Sequence, residues 1–177
     1  MCTRFVYHGN DTITGFNFDI DLSVWKHKVI EERERFYIGI LRSDGAYHSY
    51  HGVNQNGNAG TLLYVHGNPA GAYQKGREFI TIADLTEQFI KAQISFDDVL
   101  QIAKSKKIVY APDATMQAML SDVQGRTLVI EPGIGYREEK SKYSLITNFR
   151  FPTHLNCFML SVKKAHGRPE FLFKGLL

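Results

Sequence analysis

Met1-Cys2-Thr3-Arg4 opens the chain, and Thr14-Gly15-Phe16-Asn17-Phe18-Asp19 follows it after one turn. The small side chain of Cys2 predicts that a methionine aminopeptidase removes Met1 and leaves Cys2 as the first residue. A first cysteine carries a thiol, with a pKa of about 8.5, beside an α-amine that titrates at about 7.7 to 8.0. Because the neutral amine can accept the thiol proton, one residue supplies both a nucleophile and its base. An early cysteine without a role is the alternative that Cys2 alone leaves open.

A β-hairpin is predicted for this opening stretch. Residues 2–7 are rich in β-formers, His8-Gly9-Asn10-Asp11 indicates a turn, and the strand pattern resumes over residues 12–20. A hairpin of this length brings Asp19 back to the neighbourhood of Cys2. The alternative for Asp19 is an ordinary aspartate at a strand end or turn.

The rest of the chain alternates between strand and helix patterns. Helical spacing places Ile82, Leu85 and Phe89 on one face, and Ser95-x-x-Asp98 predicts a second, capped helix. Strands are predicted on both sides of this helical pair, over residues 36–41, 46–53, 61–65, 117–121, 127–131 and 144–147. Strands, then helices, then strands again predict the α+β class, with helices on a face of antiparallel sheets, in one domain over residues 1–177.

Composition excludes several function classes. The chain has 177 residues, is 44% hydrophobic and has a formal charge of only +3, with its basic residues scattered. We therefore expect no nucleic-acid partner. No apolar run is long enough to span a bilayer and no signal peptide is recognisable, so a soluble, cytoplasmic protein without a membrane partner is expected.

Cysteines and histidines give no metal-ligand spacing, so we expect neither a metal nor a cofactor. Cys157 lies in an apolar pattern and is expected to be a buried free thiol. The strand over residues 46–53 carries Tyr47, His48, Tyr50 and His51. These side chains can line a pocket, but a half-buried sheet face is the favoured interpretation.

Motifs in the same order over most of the chain resemble the choloylglycine hydrolase family, which includes bile salt hydrolases and penicillin V acylases. They are the opening quoted above, Gly52-Val53-Asn54-Gln55-Asn56-Gly57, Val129-Ile130-Glu131-Pro132 and Leu145-Ile146-Thr147-Asn148. Members of this family are N-terminal-nucleophile hydrolases that cut linear amides. The resemblance implies a four-layer αββα sandwich and a small-molecule acyl amide as substrate.

The resemblance also implies roles for four residues. Cys2 is the nucleophile, and Asp19 orients its thiol and amine. Asn148 corresponds to the asparagine that donates a hydrogen bond to the oxyanion of the tetrahedral intermediate. Tyr64, at a strand end, corresponds to the residue that borders the oxyanion site. A strand-end asparagine and a core tyrosine are the structural alternatives for Asn148 and Tyr64.

The chain departs from the family pattern at two places. Phe16 stands where the family has an arginine, and an apolar ring beside the thiol is expected to raise the pKa of Cys2. The chain also ends soon after Asn148, so part of the second helical layer is expected to be missing. We therefore expect at best weak activity on bile salts and penicillin V, an uncharged substrate group near Phe16, and a homo-oligomer in which a partner chain covers the apolar sheet surface.

Two other functions stay open at this point. One is a degenerate or truncated family member with a binding or non-catalytic role. The other is an acyltransferase on the same scaffold, which passes the acyl group to an amine rather than to water.

Overall fold

The computed structural model describes residues 2–19, 21, 23, 25–148, 161–165 and 168–172, the last two ranges as backbone only. Met1 and Cys157, which carry two of the expectations above, lie outside the described residues.

Fourteen strands and two α-helices make up the described chain. The strands before the helices are β1 (Thr3–His8), β2 (Thr12–Asn17), β3 (His27–Glu32), β4 (Arg35–Leu41), β5 (Tyr47–Asn54), β6 (Ala59–Tyr64) and β7 (Phe79–Thr81). The helices are α1 (Ile82–Ile90) and α2 (Phe96–Ser105). The later strands are β8 (Lys107–Val109), β9 (Met116–Ser121), β10 (Thr127–Glu131), β11 (Gly135–Glu139), β12 (Tyr143–Thr147), β13 (Ser161–Ala165) and β14 (Arg168–Leu172).

A large sheet forms the centre of the molecule. Its seven strands are antiparallel neighbours in the order β11-β10-β9-β6-β5-β4-β3. Helix α1 lies across β5, β6 and β9, and α2 packs against α1. Leu85, Phe89 and Val99 of the helices are fully buried with Leu62 and Leu120 of the sheet, which forms the larger hydrophobic core.

A small sheet covers the opposite face of the large one. It has three strands in the order β12-β1-β2, with Thr3 opposite both Thr147 and Asn17. Val6 and Ile146 on its inner face pack with Leu63, Met119 and Val129 of the large sheet. Because side chains alternate across a strand, Cys2 and Arg4 face this same interior as Val6. The nucleophile candidate therefore lies between the two sheets.

The α+β class, the opening hairpin and both helices agree with the sequence predictions. Helix α2 has the predicted capping box: Ser95 Oγ accepts from the Asp98 backbone N–H at 3.1 Å, and Asp98 accepts from the Ser95 N–H at 2.8 Å. Strand β3 emerges from a charged segment that the sequence indicates only as a solvated edge or connection, and it is indeed an edge strand. Edge strands with two exposed faces show no apolar alternation, which explains why the sequence pattern does not predict β3 and β11.

Three layers are present in the part of the chain that the structure describes: the helical pair, the large sheet and the small sheet. The implied four-layer arrangement is not confirmed by these residues. No helix among them is long and apolar enough to cross a membrane.

Candidate functional site

Cys2 lies at the start of β1 and is only 3% exposed. Its Sγ donates to the backbone carbonyl of Asp19 at 3.5 Å, so the hairpin does return Asp19 to the thiol. Burial raises the pKa of the Cys2 thiol. A backbone hydrogen bond at Asp19 and the charged amino terminus lower this pKa, and the Asp19 carboxylate raises it further. The net effect favours the protonated thiol, as expected from the apolar ring of Phe16.

Asn148 links Cys2 to the large sheet. Its Oδ1 accepts from the Cys2 backbone nitrogen at 2.6 Å, and its Nδ2 donates to the Tyr64 carbonyl at 2.8 Å. Because one partner is an N–H and the other a carbonyl, only one orientation of the amide satisfies both contacts. The amide oxygen thus faces the atom that would become the α-amine if Met1 were removed.

Tyr64 ends β6 and is partly buried. Its ring lies 4.9 Å from Trp25 and 5.7 Å from Tyr50, centroid to centroid. Burial raises the pKa of the Tyr64 hydroxyl, Arg42 nearby lowers it, and Cys2 raises it again. Tyr64 therefore belongs to the surroundings of Cys2, and its carbonyl holds Asn148.

Phe16 occupies the position of the family arginine and stacks on His51, with the ring centroids 4.4 Å apart and the planes 24° from parallel. Behind this stack, His51 Nδ1 lies 2.6 Å from Thr61 Oγ1, and Arg4 donates to the same hydroxyl. Burial and the nearby Arg4 lower the pKa of His51 to about 3, so the ring is neutral.

Arg4 is fully buried between the sheets. Besides Thr61, it donates to the Met119 carbonyl at 3.3 Å and to Ser121 Oγ at 2.8 Å. Burial lowers the pKa of Arg4 to about 9. Since Arg4 follows Cys2 by two residues, these bonds fasten the nucleophile-bearing strand to the large sheet.

An aromatic wall, defined here as Phe16, Phe18, Trp25, Tyr50 and Tyr64, borders the site. Phe18 lies 5.4 Å from Phe16 and 5.3 Å from Tyr50 between ring centroids. Phe16 and Phe18 contact both the interior that holds Cys2 and the core that holds Tyr50. An uncharged, apolar group suits such surroundings.

The structure brings together all four residues singled out from the sequence. Cys2, Asp19, Asn148 and Tyr64 lie around one thiol, although their chemical roles stay predictions. Sequence reasoning did not find Trp25 or the interior role of Arg4. Trp25 is the only tryptophan of the chain, and this was the one available signal. No periodicity in residues 21–26 shows that its ring returns to Tyr64.

Chemically, the arrangement combines a buried thiol, a side-chain acceptor for the Cys2 backbone nitrogen and apolar surroundings. The raised pKa of Cys2 means that little thiolate is present at neutral pH.

Comparison with known proteins identifies the fold of this chain. No protein-family model and no curated protein sequence matches the chain. Two solved variants of the conjugated bile acid hydrolase from Clostridium perfringens match with TM-scores of 0.62 and 0.60 at 14% and 16% identity. These matches cover 98% and 86% of this chain but 64% and 54% of the hydrolase.

Penicillin V acylase from Agrobacterium tumefaciens matches with a TM-score of 0.53 at 16% identity, over 83% of this chain and 52% of the acylase. An N-acylethanolamine-hydrolyzing acid amidase ortholog from Caenorhabditis elegans matches with a TM-score of 0.54 at 12% identity, over 85% of this chain and 71% of the ortholog. The chain thus spans little more than half of the acylase. It shares the α+β sandwich fold of these solved structures.

Proposed function

We propose that this chain is the nucleophile-bearing part of an amide hydrolase that cleaves linear carbon–nitrogen bonds, with Cys2 as nucleophile after Met1 removal. One observation carries the proposal: the Cys2 nitrogen, the Asn148 amide and the Tyr64 carbonyl form one hydrogen-bonded chain beside a buried thiol. Any buried backbone N–H needs an acceptor; here a side-chain amide supplies it, at the nitrogen that would become the α-amine if Met1 were removed. The same proposal includes a four-layer form of the fold and a small-molecule acyl amide as the substrate.

The reaction runs in two steps. The neutral α-amine of Cys2 takes the thiol proton, and the thiolate sulfur forms a bond to the amide carbonyl carbon while the carbonyl electron pair moves to oxygen. Collapse of this intermediate breaks the C–N bond, and the leaving amine takes the proton from the α-ammonium. Water, deprotonated by the α-amine, then bonds to the thioester carbonyl carbon; the C–S bond breaks, the acid leaves, and the sulfur regains the proton from the α-ammonium. Asn148 holds the amine in orientation through its Oδ1, with Asp19 as the second orienting group.

The acyl group is proposed to be uncharged, since it lies against the aromatic wall. Burial of an unpaired charge there is costly. A non-catalytic binding role is the second candidate, and the raised pKa of Cys2 is the observation that favours it.

Intact-mass spectrometry tests the proposal. After brief incubation with phenylacetyl-p-nitroanilide, the mature chain should lack Met1 and carry one phenylacetyl group, and limiting iodoacetamide should label Cys2 before Cys157. The Cys2→Ala variant is the matched control and should gain no acyl mass. Added hydroxylamine separates transfer to an amine from transfer to water. A chain that retains Met1, or that labels first at Cys157, contradicts the mechanism and favours the binding role.

A further inference from the structure

Tyr50 occupies an irregular position in the large sheet. Opposite β4, His51 pairs with Ile38 and Ser49 pairs with Gly39, so Tyr50 has no residue across from it. This is a β-bulge, which inserts one residue and redirects the side chains next to it, commonly beside active sites. As a result, two consecutive residues lie beside the ring of Phe16. Its centroid is 4.4 Å from that of His51 and 6.3 Å from that of Tyr50.

The hydroxyl of Tyr50 is buried without a hydrogen bond of normal geometry among the described residues. Its side chain is only 3% exposed, and the backbone of Tyr64 lies near enough to favour the phenolate electrostatically. Burial nevertheless raises the pKa of Tyr50, so the hydroxyl stays protonated at any physiological pH. A buried donor that is left unpaired destabilises a protein, and in native structures such a group needs an explanation.

The position of Tyr50 relative to Cys2 offers that explanation. Tyr50 is near enough to Cys2 for the two groups to interact electrostatically, and its ring lies between Phe18 and Tyr64 of the aromatic wall. Asn148 uses its amide oxygen for the Cys2 nitrogen and one Nδ2 hydrogen for the Tyr64 carbonyl, so a single Nδ2 hydrogen is left to donate beside Tyr50. Tyr50 is thus a neutral O–H donor near the thiol, and no acceptor for its hydrogen meets the hydrogen-bond geometry among the described residues.

We propose that Tyr50 is a catalytic residue whose hydroxyl donates a hydrogen bond to the oxyanion formed when Cys2 attacks the amide carbonyl. This inference rests on the proposed function and assigns to Tyr50 the donor role expected of Asn148. The phenol proton stays on Tyr50 throughout: sulfur bonds to carbon, the carbonyl electron pair moves to oxygen, and the hydroxyl stabilises that charge.

Tyr50→Phe removes one oxygen atom and keeps the ring, so it tests the donor alone. We expect the rate of Cys2 acylation by phenylacetyl-p-nitroanilide to fall on the order of a hundredfold, mainly in kcat. Alkylation by iodoacetamide forms no oxyanion and should proceed at the wild-type rate. The unfolding temperature should stay the same or rise, because an unpaired buried hydroxyl is lost. Tyr37→Phe, on the neighbouring strand β4, is the matched control and should leave acylation unchanged.

A trifluoromethyl ketone separates this inference from the proposed function. The ketone 1,1,1-trifluoro-3-phenylpropan-2-one adds the Cys2 sulfur to its carbonyl carbon and leaves a negatively charged oxygen where the oxyanion would lie. Binding can be followed by the fluorescence of Trp25, the only tryptophan. Tyr50→Phe should weaken this binding tenfold or more. If binding is weakened but no amide is hydrolysed, Tyr50 is retained as the donor and the hydrolase function is rejected. Equal ketone affinity in wild type and Tyr50→Phe would overturn the inference, whatever the turnover.

Discussion

At the scale of single residues, the site is governed by what surrounds the Cys2 sulfur. The aromatic wall and the neutral His51 surround a thiol whose pKa is raised by burial. The guanidinium of Arg4 is bound by Thr61, Met119 and Ser121 in the interior. The position that holds an arginine in the resembling family thus contributes an apolar ring and no positive charge.

Phe16→Arg should lower the pKa of Cys2, because it adds a cation near the thiol and removes part of the apolar burial. An opposite charge within contact distance lowers such a pKa by about one to three. Since the thiolate is the reactive form, alkylation by iodoacetamide rises with pH through the thiol pKa, and the midpoint of that rise should move to lower pH. At neutral pH, each decrease of the thiol pKa by about one should raise the thiolate fraction, and with it the alkylation rate, about tenfold. Thr12→Arg, at the far end of the same strand, is the control; an unchanged midpoint in Phe16→Arg would refute the prediction.

At the scale of elements, a row of charged side chains links β5 to helix α1. His48 Nε2 lies 2.7 Å from Asp44, its Nδ1 lies 2.9 Å from Glu87, and Lys91 lies 2.7 Å from the same carboxylate. Burial alone would lower the pKa of His48, but the two carboxylates outweigh it and raise that pKa. His48 and His51 therefore serve opposite faces of the sheet, one towards the helix and one towards Cys2.

His48 should make stability depend on pH. Its pKa is higher in the folded than in the unfolded chain, so its stabilising effect is complete below about pH 6.5 and is lost as pH rises through the folded pKa. Because His48 is partly exposed, we expect a contribution below about 1 kcal/mol. The urea midpoint of unfolding is measured at pH 6 and at pH 8.5. The difference between the two midpoints should be smaller in His48→Gln than in wild type, and the same as in wild type in the variant His66→Gln, at an exposed histidine. A His48→Gln variant with the full pH dependence would contradict this role.

At the scale of the whole molecule, the described helices lie on one side of the two sheets. The outer face of the small sheet exposes Phe5, Ile13 and Tyr143, and the rings of Tyr7 and Tyr143 lie 5.0 Å apart with their planes tilted by 31°. Beside them is a cavity of about 490 Å³ lined by Tyr7, Ile13 and Lys142, among others. Exposed apolar patches of this kind are unusual on a monomer and mark contact surfaces.

We predict that a second copy of the chain covers this face in solution, through the same surface on both copies. Light scattering coupled to gel filtration should give the mass of a dimer for wild type. Ile13→Glu places a carboxylate in the centre of the contact and should reduce the mass to that of a monomer. Val29→Glu, on the exposed edge strand β3, is the matched control and should remain dimeric. A monomeric wild-type chain would sink the prediction.

Local sequence patterns were enough to predict many structural elements of this protein. The helical spacing of Ile82, Leu85 and Phe89, the Ser95–Asp98 cap and the Asn54–Gly57 turn are set by neighbours in sequence, and each is present as predicted. The prediction that Cys2 is a nucleophile also rests on its place in the chain, because removal of one residue would join a thiol to an amine; it stays a prediction.

Tertiary structure alone decided which groups meet at the thiol. Cys2 and Asn148 are 146 positions apart and come together only because β12 pairs with β1. The direction of the Asn148 amide depends on a Tyr64 carbonyl from the other sheet, and the contact of Tyr50 with Phe16 depends on a bulge that no local pattern marks. Register and sheet packing arise from the summed contacts of the whole chain, so side chains brought together by them cannot be assigned from one segment.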